Sequence, residues 1–250
     1  MCTKAHSGAW APEAGSGQTI LKYESTRSTL DFDGRGRRTR GKPASEAAVS
    51  QWREQGLSDQ LTVQTKVSVV EGRFVETNPY SGEDLHFAYW GQGPIEVGAR
   101  YAVVQGERTA MAVYGGAIID GVGRNIFYAP PGRGSVDWEL RVLAGRSMQV
   151  LGREAFGEVQ AARLFRSGVA DEMRVDATVG VEVARAWQVL IQTYAGRAER
   201  DYAKPLWLKG EASIVRRLGS WRVQAGWRQT LTGRHVPADR GPVVAVWRDF

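Results

Sequence analysis

Apolar and polar positions alternate with a period of two along most of the chain. In LWLKGEASI, Leu206, Leu208, Gly210, Ala212 and Ile214 take one phase, and Trp207, Lys209, Glu211 and Ser213 take the other. Ser220–Thr230 divides the same way, into Trp221, Val223, Ala225 and Trp227 against Arg222, Gln224, Gly226 and Arg228. Val136–Gly145 alternates most cleanly, with Val136, Trp138, Leu140, Val142 and Ala144 opposite Asp137, Glu139 and Arg141. A period of two means strands with one apolar and one polar face. No stretch carries a capped apolar pattern of helical period.

This spacing predicts twelve strands: Gly17–Leu30, Pro43–Gln55, Gln60–Val70, Pro94–Gln105, Thr109–Ile119, Val136–Gly145, Glu154–Phe165, Met173–Val183, Trp187–Tyr194, Leu206–Ile214, Ser220–Thr230 and Gly241–Phe250. The second is the least regular, with Ala47, Val49 and Trp52 out of simple phase. Tight turns fall at Gly56–Asp59, Gly106–Arg108, Leu151–Arg153, Ala184–Ala186 and Arg217–Gly219. Longer loops are expected at Asp31–Lys42, Glu71–Gly93, Asp120–Ser135, Arg166–Glu172, Gly196–Pro205 and Thr232–Gly241. Short and long connections thus alternate, and an even strand number puts both ends of the sheet on the short-turn side, as in bacterial outer-membrane barrels. The expected fold is all-β: a transmembrane antiparallel up-and-down β-barrel of about 12 strands over residues 16–250, preceded by an N-terminal segment, 1–15. MCTKAHSGAW lacks the apolar core of a secretory signal. Thr3-Lys4-Ala5 before His6 is read as the remnant of one.

Period alone does not say which face meets water. In a soluble sheet the polar face does; in a membrane barrel the apolar face meets lipid and charges line a lumen. Two details favour the inverted reading. Trp138, Trp187, Trp207, Trp221, Trp227 and Trp247 mostly fall near strand ends, where an interfacial girdle places aromatics. Charges of both signs recur mid-strand on the polar faces, and closure removes sheet edges. Tyr194 and Trp207 in the polar phase, with Arg163 and Arg248 in the apolar phase, run against the pattern, and bulges would account for some of this.

Composition narrows the chemistry. No apolar run reaches the 18 residues of a transmembrane helix. One cysteine, Cys2, excludes an intrachain disulfide and a cysteine-built metal site. The three histidines, His6, His86 and His235, fall near the terminus or in expected loops, away from the rigid scaffold that a metal site or catalytic triad needs. No cofactor, metal or catalytic residues are expected. The formal net charge of +6 has one dense cluster, Arg35, Arg37, Arg38, Arg40 and Lys42. That cluster reads as a solvated basic loop or as an arm for phosphate groups such as those of lipopolysaccharide. Nucleic acid is not expected, because no recognition helix or stacking platform accompanies it.

The candidate site is the mixed-charge interior: Glu96, Arg100, Asp137, Glu139, Arg141, Glu158, Arg174, Asp176, Glu182, Lys209, Glu211, Arg222 and Arg228. These side chains either line a polar conduit that selects solutes or pair into a salt-bridged plug that stiffens a closed, non-conducting barrel with a structural or surface-interaction role. Both readings stand on the sequence.

Short motifs carry a resemblance. Gly15-Ser16-Gly17-Gln18 opens the first strand, Glu54-Gln55-Gly56-Leu57-Ser58-Asp59-Gln60-Leu61-Thr62 spans a turn, and Gly93–Arg100 reads GPIEVGAR. With the terminal Phe250, these resemble proteobacterial outer-membrane barrels, loosely like the outer-membrane proteins of the phenol meta-degradation pathway. The resemblance implies an outer-membrane location amid lipid and lipopolysaccharide and the passage of a small solute. It also implies recognition by the barrel assembly machinery through the strand ending at Phe250, from whose usual pattern Arg248 departs.

Overall fold

The structure, a computed structural model, describes residues 8–121, 135–198 and 204–250. Cys2, His6 and the Thr3-Lys4-Ala5 motif lie outside the described residues, as does most of the Asp120–Ser135 loop. Among the described residues fourteen strands form one antiparallel sheet: β1 (Gly17–Phe32), β2 (Arg38–Gly56), β3 (Leu61–Thr77), β4 (Asp84–Gln92), β5 (Ile95–Gln105), β6 (Thr109–Ile119), β7 (Val136–Val150), β8 (Arg153–Phe165), β9 (Glu172–Ala184), β10 (Trp187–Ala198), β11 (Leu206–Leu218), β12 (Trp221–Arg234), β13 (Val236–Pro237) and β14 (Arg240–Asp249). β1 pairs with both β2 and β14, so the sheet closes. β4 and β5 occupy one wall position and β13 is a two-residue pairing on β1, which leaves a closed barrel of twelve strands.

The five tight turns sit at one end and the longer connections at the other. Leu151 and Gly152 both have positive φ (52° and 74°), the geometry of a two-residue hairpin turn whose twist matches its flanking strands. At the opposite end β1–β3 extend beyond the neighbouring strands. The expected loop Glu71–Gly93 is instead a hairpin, because turn formers are confined to Asn78–Gly82. There Asn78 Oδ1 accepts the Tyr80 amide (2.9 Å) and Gly82 adopts φ 74°. Phe74 and Phe87 stack across the strands at 5.0 Å. Pro94, which has no N–H for a ladder, divides β4 from β5, and β3 changes partner there. His86 accordingly lies on β4, not in a loop.

The loop Asp31–Lys42 contracts to five residues. Asp33 Oδ1 accepts the amides of Arg35 and Arg37, each at 2.8 Å, and these bonds, Arg37 first, hold its carboxyl below the usual range. Arg38, Arg40 and Lys42 therefore lie on β2. Arg38 sits 5.4 Å from the centre of the Phe32 ring, and Lys42 pairs with Asp84 at 2.5 Å.

Large apolar side chains cover the outside. Val142 is 58 % and Trp138 61 % exposed, with Leu140, Val97, Val175, Ile191 and Val244 comparably bare. A surface of this kind is unfavourable in water and suits hydrocarbon. A closed barrel also satisfies every ladder group internally, as a membrane span requires. These features place the chain in the bacterial outer membrane, short turns toward the periplasm. Trp187 and Trp221 are outward and near the periplasmic rim. Trp207 and Trp247 are not part of a girdle: their polar-phase positions turn them inward, against Gly196 and against the Phe156 cluster respectively. Arg163 and Arg248 do face outward, over the rings of Phe165 (5.0 Å) and Trp221 (5.1 Å).

Candidate functional site: the barrel interior

The periplasmic half of the interior holds the chain's own N-terminal segment. A bridge between Ala14 and Gly56 ties it to the rim, and Gly15 N donates to Gly56 O at 2.9 Å. Beyond this rim contact the segment is held by wall side chains. Gln105 donates to Ala11 O (3.2 Å) and accepts from Ala11 N (3.1 Å), serving it as a strand neighbour would. Ala9 N donates to Glu158 Oε2 at 2.8 Å. Arg100 donates to the carbonyls of Gly8 and Trp10, the latter at 2.8 Å, and pairs with Glu54 at 3.1 Å. Buried backbone groups need such partners, and here the wall supplies them. Arg100 is fully buried, so its charge depends on Glu54 and on these two carbonyls.

Trp10 is the segment's apolar anchor. It packs with Ala9 against Ala110, Ala112, Tyr114 and Leu143. Gly145 makes the slot: a Cβ there would overlap the Trp10 ring. A second apolar group, Phe156, Leu190 and Val215 with Trp247 against it, lies within four residues of the periplasmic turns and the chain end. Phe156 lies over Gly180 in the same way.

Toward the extracellular side the inner wall becomes ionic. Arg228 pairs with Glu24 (3.0 Å) and Glu211 (3.1 Å), Lys22 joins both carboxylates (3.2 and 3.3 Å), and the Arg228 guanidinium lies 4.5 Å from the centre of the Tyr194 ring. This explains why Tyr194 occupies the polar phase. Arg166 bridges Asp137 (3.1 Å) and Glu172 (2.5 Å), and Glu172 also holds Arg174. Arg141 pairs with Glu139, donates to Gln160 at 3.0 Å and covers the Tyr114 ring at 4.8 Å. Gln160 turns its amide to Asp176 at 3.4 Å. Glu96 pairs with Lys66 (2.8 Å) and Lys209 with Asp239 (2.7 Å), whereas Arg222 pairs with Asp249 at the periplasmic end. Glu182 is at the periplasmic rim, 3.1 Å from Arg217 and half-exposed.

The sequence reading left out several members of these networks. Glu54, Lys22, Glu24 and Lys66 lie in the polar phase of their strands, which was the available signal. Glu172 and Arg166 fell in an expected loop. The segment Gly8–Gly15 gave no alternation at all. In that β8–β9 connection Asp171 accepts the Arg166 amide (3.1 Å) and an Arg163 N–H (3.0 Å), which hold its carboxyl below the usual range.

Two cavities open on the extracellular side. One, of about 480 Å³, is lined by Arg174, Asp176, Tyr194, Trp207, Lys209 and Arg228. The other, about 1090 Å³, is a vestibule between the extended strands, with Phe32, Phe74 and Tyr89 beside Arg27, Lys42 and Arg73. Among the described residues no group of three or more His, Cys, Asp or Glu side chains could hold a metal ion.

Closed wall, inverted faces and alternating connections define the chain as an outer-membrane β-barrel. Among solved structures it is similar to the COG4313 outer membrane channel from Pseudomonas putida F1 (TM-score 0.67, 13% identity, 97% of this chain and 98% of that one). It is also similar to the NanC porin (TM-score 0.58, 7% identity, 95% and 100%) and to the transport unit of the autotransporter AIDA-I from Escherichia coli (TM-score 0.56, 8% identity, 100% and 93%). At these identities the likeness concerns the fold. No protein-family model and no curated protein matches the chain.

Proposed function

We propose that the chain is an outer-membrane channel for small polar solutes, with its N-terminal segment as a resident constriction of the periplasmic half. The carrying observation is how the segment is held. Residues 9–11 are fastened by Arg100, Gln105 and Glu158, side chains of the wall, so they can leave without breaking the barrel's ladder. The charged residues above them would form the selective part of the path: Glu96, Asp137, Glu139, Arg141, Arg174, Asp176, Lys209, Glu211 and Arg228, with Arg222 and Glu182 nearer the periplasmic mouth. Similarity in fold to an outer membrane channel and to a porin supports solute passage. No enzymatic role is proposed.

A second reading, a non-conducting barrel with a salt-bridged interior, draws support from the dense pairing of these charges. Liposome swelling separates the two. Channel function requires swelling in small sugars or amino acids by the whole chain, and faster swelling by a chain lacking residues 1–12. Impermeable liposomes in both cases, with the barrel verified by its heat-dependent shift on electrophoresis, would favour the second reading.

A further inference from the structure

The outward face of the periplasmic rim carries guanidinium groups in an unusual setting. Arg53 on β2, Arg248 on β14 and Arg216 on β11 belong to the lipid-facing phase of their strands and are exposed. Each lies over an aromatic ring: Arg53 at 4.9 Å from the centre of Phe250, Arg248 at 5.1 Å from Trp221 and Arg216 at 5.2 Å from Trp187. The register makes this one band. Arg53 is opposite Thr19, Thr19 opposite Arg248, and Arg248 opposite Trp221, across β2, β1, β14 and β12. Leu218 continues the row on β11, and Arg216 faces Trp187 one step along.

No carboxylate lies within ion-pair distance of these three arginines among the described residues. The outward positions at this end of the six strands β2, β1, β14, β12, β11 and β10 contain no Asp or Glu. Arg163 near the extracellular rim is different: it lies over Phe165 but also pairs with Asp171 at 3.0 Å. Immediately above the band the same outward phase turns apolar, with Val246, Val223 and Ile214 exposed. The guanidiniums thus sit at the border between hydrocarbon and water, always charged and held by stacking, with N–H donors in a planar fork of which Arg53 gives one to Gln55 Oε1 at 3.2 Å. The apolar residues directly above the arginines suit the acyl chains of a lipid whose headgroup meets the guanidiniums. The phosphates of the periplasmic leaflet lie at this level.

We propose that this arc is a binding site for anionic phospholipid headgroups of the periplasmic leaflet, with Arg53, Arg216 and Arg248 as phosphate donors and their aromatic rings as the positioning platform. The site does not depend on conduction.

The test uses the whole chain, folded, in nanodiscs or mixed micelles of phosphatidylcholine with or without phosphatidylglycerol, and native mass spectrometry to count retained lipids. Wild type should retain phosphatidylglycerol in preference to phosphatidylcholine. Each of Arg53→Gln, Arg216→Gln and Arg248→Gln should lower that preference by roughly five-fold, the order expected for one cation at a membrane surface. Arg197→Gln, outward but near the extracellular end, should leave it unchanged. Millimolar inorganic phosphate should not displace the lipid, since it lacks the acyl chains that the apolar band above holds. The proposal is overturned if wild type shows no preference, if the triple variant keeps it, or if free phosphate competes fully. A heat-dependent electrophoretic shift checks that each variant is a barrel. Should the triple variant not fold, the single variants and the wild-type preference still decide.

Discussion

Replacing Trp10 by Ala removes the apolar anchor of the N-terminal segment and changes no residue of the wall. The ring fills a slot bounded by Ala110, Ala112, Tyr114, Leu143 and Gly145 and is almost fully buried. Truncating a buried Trp costs about 3–5 kcal/mol where the site does not collapse, and a β-barrel wall collapses little. The hydrogen bonds through Arg100, Gln105 and Glu158 use the segment's backbone, so they survive the substitution. At the low end, about 3 kcal/mol changes the ratio of docked to released segment by roughly 150-fold. Hydrogen exchange reads this directly, because protection of a locally opening amide follows the opening free energy. The amides of Ala9 and Ala11, bonded to Glu158 and Gln105, should exchange roughly 100-fold faster in the Trp10→Ala chain than in wild type. Peptides from β7 and β8 should be unchanged. Protection within about three-fold of wild type at residues 9–11 would refute the anchoring role.

Other substitutions test neighbouring parts of the account. Gly145→Ala, which puts a methyl group where the Trp10 ring lies, should release the same segment and give the same exchange pattern from the opposite side of the contact. Arg100→Gln leaves Glu54 buried without its cation and should destabilise the barrel by about 3–5 kcal/mol in urea refolding into liposomes, whereas Lys66→Gln, at a half-exposed pair with Glu96, should cost under about 1 kcal/mol. Val142→Arg, on the outer face, should destabilise the liposome-refolded barrel by about 2–4 kcal/mol although the position is bare; a soluble protein would tolerate it. Asp171 has a depressed carboxyl, so its bonds to Arg166 and Arg163 are present above the ordinary aspartate range and are lost as pH falls through the lowered value. Exchange of the Arg166 amide should therefore keep its protection from pH 8 to 5 and lose it only in stronger acid.

Most of the wall was legible because a strand's two faces repeat every second residue. Val136–Gly145 and Met173–Val183 show it well, and the expected closed barrel of about twelve strands is the fold observed. The hairpin β3–β4 was hidden by Asn78, Pro79, Ser81 and Gly82, whose turn chemistry dominates its window. Phe74, Phe87 and Tyr89 hold that hairpin together across strands, which no local pattern reports. Inward aromatics were misplaced for a related reason. Trp207 and Trp247 sit near strand ends, as girdle residues do, and only their phase reveals that they face Gly196 and the Phe156 cluster. Long-range pairing was not readable: Arg228 is opposite Glu211 within the β11–β12 hairpin, but it meets Glu24 only once the ring closes through β1 and β14. Least legible was Gly8–Gly15. A segment bound by side chains of Arg100, Gln105 and Glu158 forms no regular element and leaves no period.

Single-channel recording in planar bilayers shows whether the N-terminal segment constricts a conducting lumen, with the whole chain compared to one lacking residues 1–12. The channel account predicts small or intermittent conductance for the whole chain and a larger, steady conductance for the shortened one, with ion selectivity altered by Arg141→Gln. Equal conductance in the two chains, or none in either from a barrel shown to be folded and inserted, would contradict it.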